Sequence, residues 1–334
     1  MNKHKVKTSL FVGGLLLIGL ILIQLNLGAI RISPLETIQT LMGNGSARNQ
    51  LILFEFRLPR IVMALLVGMG LAISGAILQG ITQNDLADSS ILGINAGAGL
   101  GVVLYLFFST GSTAKLGVPQ FLFIPLVALG GAFFAASLIY LGAWKKGIHQ
   151  LRLLLVGIAV TALLNAFILI FQLQMDEFNF EKAMVWLSGN LWNVNWSFIL
   201  IIACWLAILL PLVYWFTMRL DILRLGDQIG QSLGLEVEKT KAILLFLAVA
   251  LAGISVAGGG GIAFVGLLAP HIAKRLVGGR SQSYLPVSAV VGMILVLGAD
   301  IVGKNLFAPN EVAVGLVVAI IATPYFIWLM MRTV

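Results

Sequence analysis

Nine long runs without a charged side chain alternate with short charged connectors: residues 9–30, 61–84, 89–114, 116–144, 153–175, 183–218, 242–273, 281–299 and 312–331 hold no Lys, Arg, Asp or Glu. Each is long enough to cross a bilayer as a helix, because roughly 20 residues at 1.5 Å rise span a ~30 Å hydrocarbon layer. Lipid offers no partner to the backbone, which leaves helices or a closed barrel, and runs this long are helices. Composition agrees. Of 334 residues, 60% are hydrophobic and 10% charged, and a mean hydropathy of +1.03 excludes a soluble globular domain. The expected fold class is an all-α polytopic membrane protein.

Two runs need closer reading before helices are counted. Run 183–218 opens with Trp186, Asn190, Trp192, Asn193, Asn195 and Trp196, an interfacial mixture of indoles and amides, so its one helix is expected at about 197–216. Run 242–273 contains Gly258-Gly259-Gly260-Gly261, where a helix should end, and reads as one broken crossing or two short ones. The basic residues choose between these. With two crossings and the N-terminus inside, 14 Lys and Arg lie inside, among them Lys146, Lys274 and Arg275, and 7 outside, among them Arg31, Arg48 and Lys115; with one crossing the split falls to 11 and 10. About ten transmembrane helices with both termini cytoplasmic is the expected topology.

The net charge of +8 and pI near 9.8 do not indicate nucleic acid, because the excess lies in cytoplasmic connectors where it orients the chain against anionic membrane lipid. The basic start Met1–Lys7 followed by apolar residues to Ile30 resembles a signal peptide, but the apolar part is too long and lacks a small-x-small cleavage site, so a retained first helix is expected. Cys204 is the single cysteine and allows no internal disulfide. Connectors 30–56, 176–196 and 219–241 are too short for an independent core, so residues 1–334 read as one membrane domain. Gly93, Gly97 and Gly101, four residues apart, predict a close approach of helix 3 to a neighbour.

Candidate chemistry is sparse. No G-x-x-x-x-G-K-[ST] sequence occurs, so the chain has no P-loop of its own. His4, His149 and His271 fall on the inner side, and no His, Cys and carboxylate cluster stands at metal-ligand spacing, so no metal, cofactor or catalytic constellation is expected. Asp300, near the outer end of its run, either pairs with Lys304 four residues on or serves ion coupling, the feature a secondary transporter would need. Arg57 and Arg60 share a face at the outer start of helix 2, with Pro59 suited to a first turn, and by themselves read as interfacial anchors. In segment 219–241, Asp227 is placed to cap a short helix, Ile229 and Leu233 share a face, and Gly234 suits the stop; this apolar face is either a plug for a partner's groove or a membrane-surface turn. Helix 5 carries Thr161, Asn165 and Gln172 within about 40° of one another, a neutral polar stripe that faces another helix or an aqueous cavity.

Several motifs occur in a telling order: Arg57-Leu58-Pro59-Arg60, Gly70-Leu71-Ala72-Ile73-Ser74-Gly75 leading to Gln79, Asn84-Asp85-Leu86-Ala87-Asp88 with Leu92-Gly93, Leu225-Gly226-Asp227 with Ser232-Leu233-Gly234, Gly261–Leu267 with Pro270-His271-Ile272-Ala273, then Ala299-Asp300, Val314-Gly315 and Pro324. From about residue 31 onward the chain resembles the FecCD-type permease subunits of bacterial ABC importers for ferric siderophores, haem and cobalamin. It departs from their pattern at Asp85 and Ser89, where proline is usual, and at Lys304, where arginine is usual. The resemblance implies a type II ABC importer permease fold of ten helices in the bacterial cell membrane. It implies cytoplasmic ATPase subunits, a second permease subunit, identical or paralogous, and an extracellular or periplasmic substrate-binding protein. It assigns Arg57, Arg60 and Lys304 to docking of that binding protein. Leu225, Gly226, Asp227, Ile229, Leu233 and Gly234 would couple to the ATPase, and Thr161, Asn165 and Gln172 would line the pathway. A ferric siderophore is the expected cargo, with haem or cobalamin as the alternative. On this assignment, replacing Arg57 and Arg60 by Glu weakens docking and causes no other defect.

Overall fold

A computed structural model describes residues 3–28, 30, 32–109, 120–145, 150–191, 194–306, 308 and 310–333. Arg31, Lys115, Lys146, His149, Trp192 and Asn193 lie outside the described residues. The described elements are helices: α1 (Lys3–Asn26), α2 (Pro34–Leu41), α3 (Ala47–Leu51), a π-helical turn (Ile52–Arg57), α4 (Leu58–Thr82), α5 (Ile94–Phe108), α6 (Gln120–Ala143), α7 (Gln150–Gln172), α8 (Glu177–Leu187), α9 (Trp196–Trp215), α10 (Thr217–Leu223), α11 (Asp227–Ser232), α12 (Val237–Gly259), α13 (Val265–Val277), α14 (Ser281–Asn305) and α15 (Val314–Thr333). Among them seven are long and apolar enough to cross a membrane, and α5 and Val314–Trp328 are shorter apolar helices.

The charge-free runs anticipate these helices with local differences. Run 89–114 yields α5 only from Ile94, because residues 84–93 fold as a partly buried loop and Gly93, at φ +72°, turns the chain into the helix. Connector 176–196 hides α8, capped by the Asp176 carboxylate, which accepts from the Asn179 N–H at 3.1 Å. Helix α4 continues from α3 through the π turn, which widens the helix just before Pro59, whose ring would crowd the carbonyl four residues back.

The glycine run resolves as a break. α12 ends at Gly259, residues 260–264 are non-helical, and α13 runs back. Its C-terminal Lys274 meets Asp85, and the Gly279 carbonyl accepts from Arg224, which precedes α12. The chain therefore leaves and returns on one side of the bundle. α13, at 13 residues, is a half-length return.

Helices α4 and α12 form the hub: 78% and 83% of their most apolar stretches are buried, against 6% for α1. Around α4 pack α12, α13 and α14; α5 and α6 pair tightly, and α7 lies against both. In lipid, apolar side chains gain little by leaving one apolar environment for another, so helix contacts depend on close van der Waals fit. Two contacts of α4 show it. Gly68 lies against the Gly292 carbonyl of α14 and Gly75 against Gly266 of α13, with no room for a Cβ at either. On α5, Gly97 and Gly101 face the Gly131 and Val127 carbonyls of α6 in the same way.

A Gly75→Val replacement is expected to push α13 off α4 and destabilise the fold by about 1–3 kcal/mol or more. Fluorescence-detected melting of the detergent-solubilised protein would register a lower transition temperature, whereas Gly14→Val, where a Cβ meets nothing within 4 Å, should melt as wild type.

Candidate functional site

Polar residues gather at the two ends of the bundle and along α7. At the end where α1 finishes, the Arg60 guanidinium clasps Asp300, with Nε to Oδ1 at 2.9 Å and Nη2 to Oδ1 at 2.7 Å, and reaches Glu311 Oε2 at 2.8 Å through Nη1. Asp300 is fully buried and also accepts from Gln24 Nε2 of α1. Arg57, itself buried, donates to the carbonyls of Leu25 and Ile30. The last carbonyls of a helix have no intrahelical donor and carry the negative end of its dipole, so Arg57 serves as the C-terminal cap of α1.

This changes the reading of four residues. Asp300 pairs with Arg60, 240 positions away, and its expected partner Lys304 makes no ion pair among the described residues. Arg57 and Arg60 are not free surface cations but clamps joining α1, α4 and α14, so their replacement by Glu disturbs the fold itself, contrary to the expectation of a docking defect alone. Lys304 is half-buried with its ammonium beside Gly28. Gln24 and Glu311 carried no motif; the amides Gln24 and Asn26 in the otherwise apolar end of run 9–30 were the available signal.

At the opposite end, Lys274 Nζ donates to Gln79 Oε1 and to Asp85 Oδ1, both at 2.7 Å. Burial pushes the Asp85 carboxyl up, but the Lys274 ammonium outweighs it and holds the group below the usual carboxylate range. Asp85 therefore gives the α4–α5 loop an ion pair with α13 that proline could not make. Asp221 of α10 accepts from the Ser281 N–H at 2.9 Å and its hydroxyl at 2.5 Å, capping α14 from another helix. Gln83 Nε2 donates to the Leu223 carbonyl at 2.7 Å. Asp88, buried in the same loop, accepts from the Phe264 N–H at 3.2 Å at the entrance of α13.

Segment 219–241 folds as the short helix expected, with one correction. Gly226 is the N-cap at φ +107° and Asp227 the first helical residue, its carboxylate turned to buried Lys241 at 2.6 Å. The stop is a Schellman turn: Gly234, at φ +80°, donates to the Gln231 carbonyl and Leu235 to that of Gly230. Ile229 and Leu233, four residues apart, stand exposed on α11, and Leu225 stands exposed just before its N-cap.

The α7 stripe divides. Gln172 is buried, Thr161 is half-buried and donates to the Gly157 carbonyl at 2.7 Å, and Asn165 is exposed. Leu153, Leu164 and Ile168 are buried on the same side as Thr161 and Gln172, so that arc faces neighbouring helices and Asn165 lies at its open edge. Beside α7, the Gly261 N–H reaches the Trp186 carbonyl of α8, the Gly315 N–H that of Gly189, and Asn95 Nδ2 the Ile262 carbonyl at 3.1 Å. The break after α12 is thus held by α8 and α5, while the start of α15 is tied to Gly189 just beyond α8.

With this geometry, comparison with known proteins is decisive. Residues 15–332 match the FecCD transport family. The chain belongs to the FecCD transport family. It is 51% identical over 318 residues, 95% of both chains, to the iron(3+)-hydroxamate import system permease protein FhuG of Bacillus subtilis (strain 168). It is 36% identical to the Fe(3+) dicitrate transport system permease protein FecD of Escherichia coli (strain K12), over 95% of this chain and 96% of that one. The fold superposes on a metal-chelate type ABC transporter in an inward-facing conformation with a TM-score of 0.83 and 29% identity, covering 98% of this chain and 99% of that one. As a FecCD member, this is a multi-pass bacterial membrane permease with the fold of a type II ABC importer subunit, a transport subunit rather than an enzyme.

Two measurements follow from the site. Arg60→Gln leaves Asp300 buried without its cation and is expected to destabilise the FecCD fold by about 3–5 kcal/mol, with Asp300→Asn restoring part of the loss in a double-mutant cycle read by detergent melting. In a Cys204→Ser background, Asn165→Cys is expected to react with a water-soluble thiol reagent while Gln172→Cys and Leu163→Cys stay unmodified; equal labelling of all three would show that the stripe has one environment.

Proposed function

We propose that this permease carries a ferric siderophore of the hydroxamate class across the membrane as one half of a two-permease pathway. A binding protein delivers the chelate from outside, and separate ATPase subunits on the cytoplasmic side drive the step. The observation that carries the substrate class is the 51% identity, over nearly the whole of both chains, to an iron(3+)-hydroxamate permease, against 36% to a ferric dicitrate permease. Family membership supports the partners, and the positive-inside bias supports ten crossings with both termini inside. A chelate brings its own iron ligands, so the pathway needs shape and neutral polar contacts, which Asn165 at the open edge of α7 can offer.

Energy coupling is assigned to α11. Its exposed Ile229 and Leu233, with Leu225 just before its N-cap, fit a groove on an ATPase in the manner of a helix laid into a partner. Around it, Asp221 holds α14, Gln83 joins the end of α4 to α10, and Lys274 links α13 to Gln79 and Asp85. Because α11 packs on α10 and pairs with α12 through Asp227 and Lys241, its displacement would be passed through α10 to α14 and α4. Docking of the binding protein is assigned to Lys304, half-buried beside Gly28, with Arg57 and Arg60 fixing the surface around it.

The reading is tested by uptake of radiolabelled ferric hydroxamate, ferric dicitrate, haem and cobalamin in cells lacking this chain and complemented with it. Restoration confined to the hydroxamate is expected, and restoration of another cargo alone would reassign the substrate. Leu233→Asp and Gly226→Pro, the latter forcing a φ near −65° where the chain needs +107°, are expected to leave the permease in the membrane but abolish uptake and co-purification of the ATPase. Normal uptake by both would remove α11 from the coupling role.

A further inference from the structure

Helix α2 is built inside out for a helix in water. Its polar residues Thr37 and Thr40 face the protein: Thr37 Oγ1 donates to Asn26 Oδ1 at 3.1 Å, and Thr40 Oγ1 to the Glu36 carbonyl at 2.6 Å. Its apolar residues face away. Leu35, Ile38, Leu41 and Met42 are 67%, 52%, 47% and 75% exposed, and at 100° per residue they cover one arc of about 120°. The helix is nonetheless firmly started, by Pro34 at its first position and a capping box in which Ser33 and Glu36 satisfy each other's N–H groups.

We infer that α2 lies in the membrane surface, with Leu35, Ile38, Leu41 and Met42 immersed at the boundary between headgroups and acyl chains. Three observations point to lipid. First, α2 is fastened by Thr37 to Asn26, the last residue of the apolar span His4–Asn26, so it sits at the level where α1 leaves the bilayer. Second, Trp196, the first residue of the apolar span Trp196–Trp215, donates its indole N–H at 2.8 Å to the Phe54 carbonyl of the neighbouring π turn, and indoles settle at the membrane interface. Third, a surface that a soluble protein must reach and leave repeatedly is about as polar as the rest of its exterior, whereas α2 presents four bulky apolar side chains in one unbroken face. Such an arc beside a helix end is the form of an interfacial helix. By anchoring α2, the membrane fixes the short link that carries the Ile30 carbonyl to Arg57 and so steadies the outer clamp.

The test uses spin labels on single cysteines in the Cys204→Ser permease, assembled with its partners in lipid nanodiscs. Labels at Leu35→Cys, Ile38→Cys and Met42→Cys are compared with one at exposed Gln39→Cys, which lies just outside the apolar arc. Accessibility to oxygen, which concentrates in lipid, is measured against a water-soluble nickel chelate, with and without the binding protein. The inference expects an oxygen-to-nickel ratio several-fold higher at the three apolar positions than at Gln39→Cys, unchanged by the binding protein. A ratio equal to or below that of Gln39→Cys overturns it. Nickel access that disappears only when the binding protein is added also overturns it, and would make α2 a protein-docking face. The outcome does not depend on the cargo or on the role of α11.

Discussion

Where Gly68 of α4 meets Gly292 of α14, and Gly75 meets Gly266 of α13, backbone touches backbone with no side chain between. The rest of the bundle depends on this closeness. Lipid tails are as apolar as leucine, so two helices gain by touching chiefly through the number of atoms brought into contact, and glycine lets that number rise. α4 is therefore the axis on which the half-length return α13 and the long α14 are both hung. Because α13 starts deep in the bundle, its N-terminus needs partners of its own, and the Asp88 carboxylate meeting the Phe264 N–H supplies one.

The charged groups act at the two ends of this axis. Near the end of α1, Arg60, Asp300, Gln24 and Glu311 join α1, α4, α14 and the approach to α15. A buried ion pair adds little net stability over an apolar pair, but removing one partner is strongly destabilising, so the cluster fixes one arrangement of helices more than it deepens the energy well. At the far end the Lys274 and Asp221 contacts fasten α13 and α14 to α4 and α10. These contacts tie α4, α13 and α14 to one another and to α10.

The chain alone fixed the spans, and through them the fold class, because the penalty for charge in lipid is large and falls on every residue of a run. Nine charge-free runs, the break at the glycine run and a short helix in segment 219–241 with Ile229 and Leu233 on one face were visible as local patterns, and the ordered motifs pointed to the family. Local pattern failed where the deciding partner was distant. Asp300 has Lys304 four residues away, yet the structure gives it Arg60, which lies on another helix at the same depth. Thr161, Asn165 and Gln172 share a face by periodicity, but which part of that face meets helices or open space depends on where α5 and α6 stand. Likewise Arg57 looks like an anchor until α1 ends beside it, offering the Leu25 carbonyl, and the link that follows offers that of Ile30. Sequence thus determined which long runs are helices apolar enough to cross a membrane, since that follows from free energies of transfer summed along one chain. Tertiary structure decided which polar groups satisfy one another, since in a medium that solvates none of them that choice belongs to the packing.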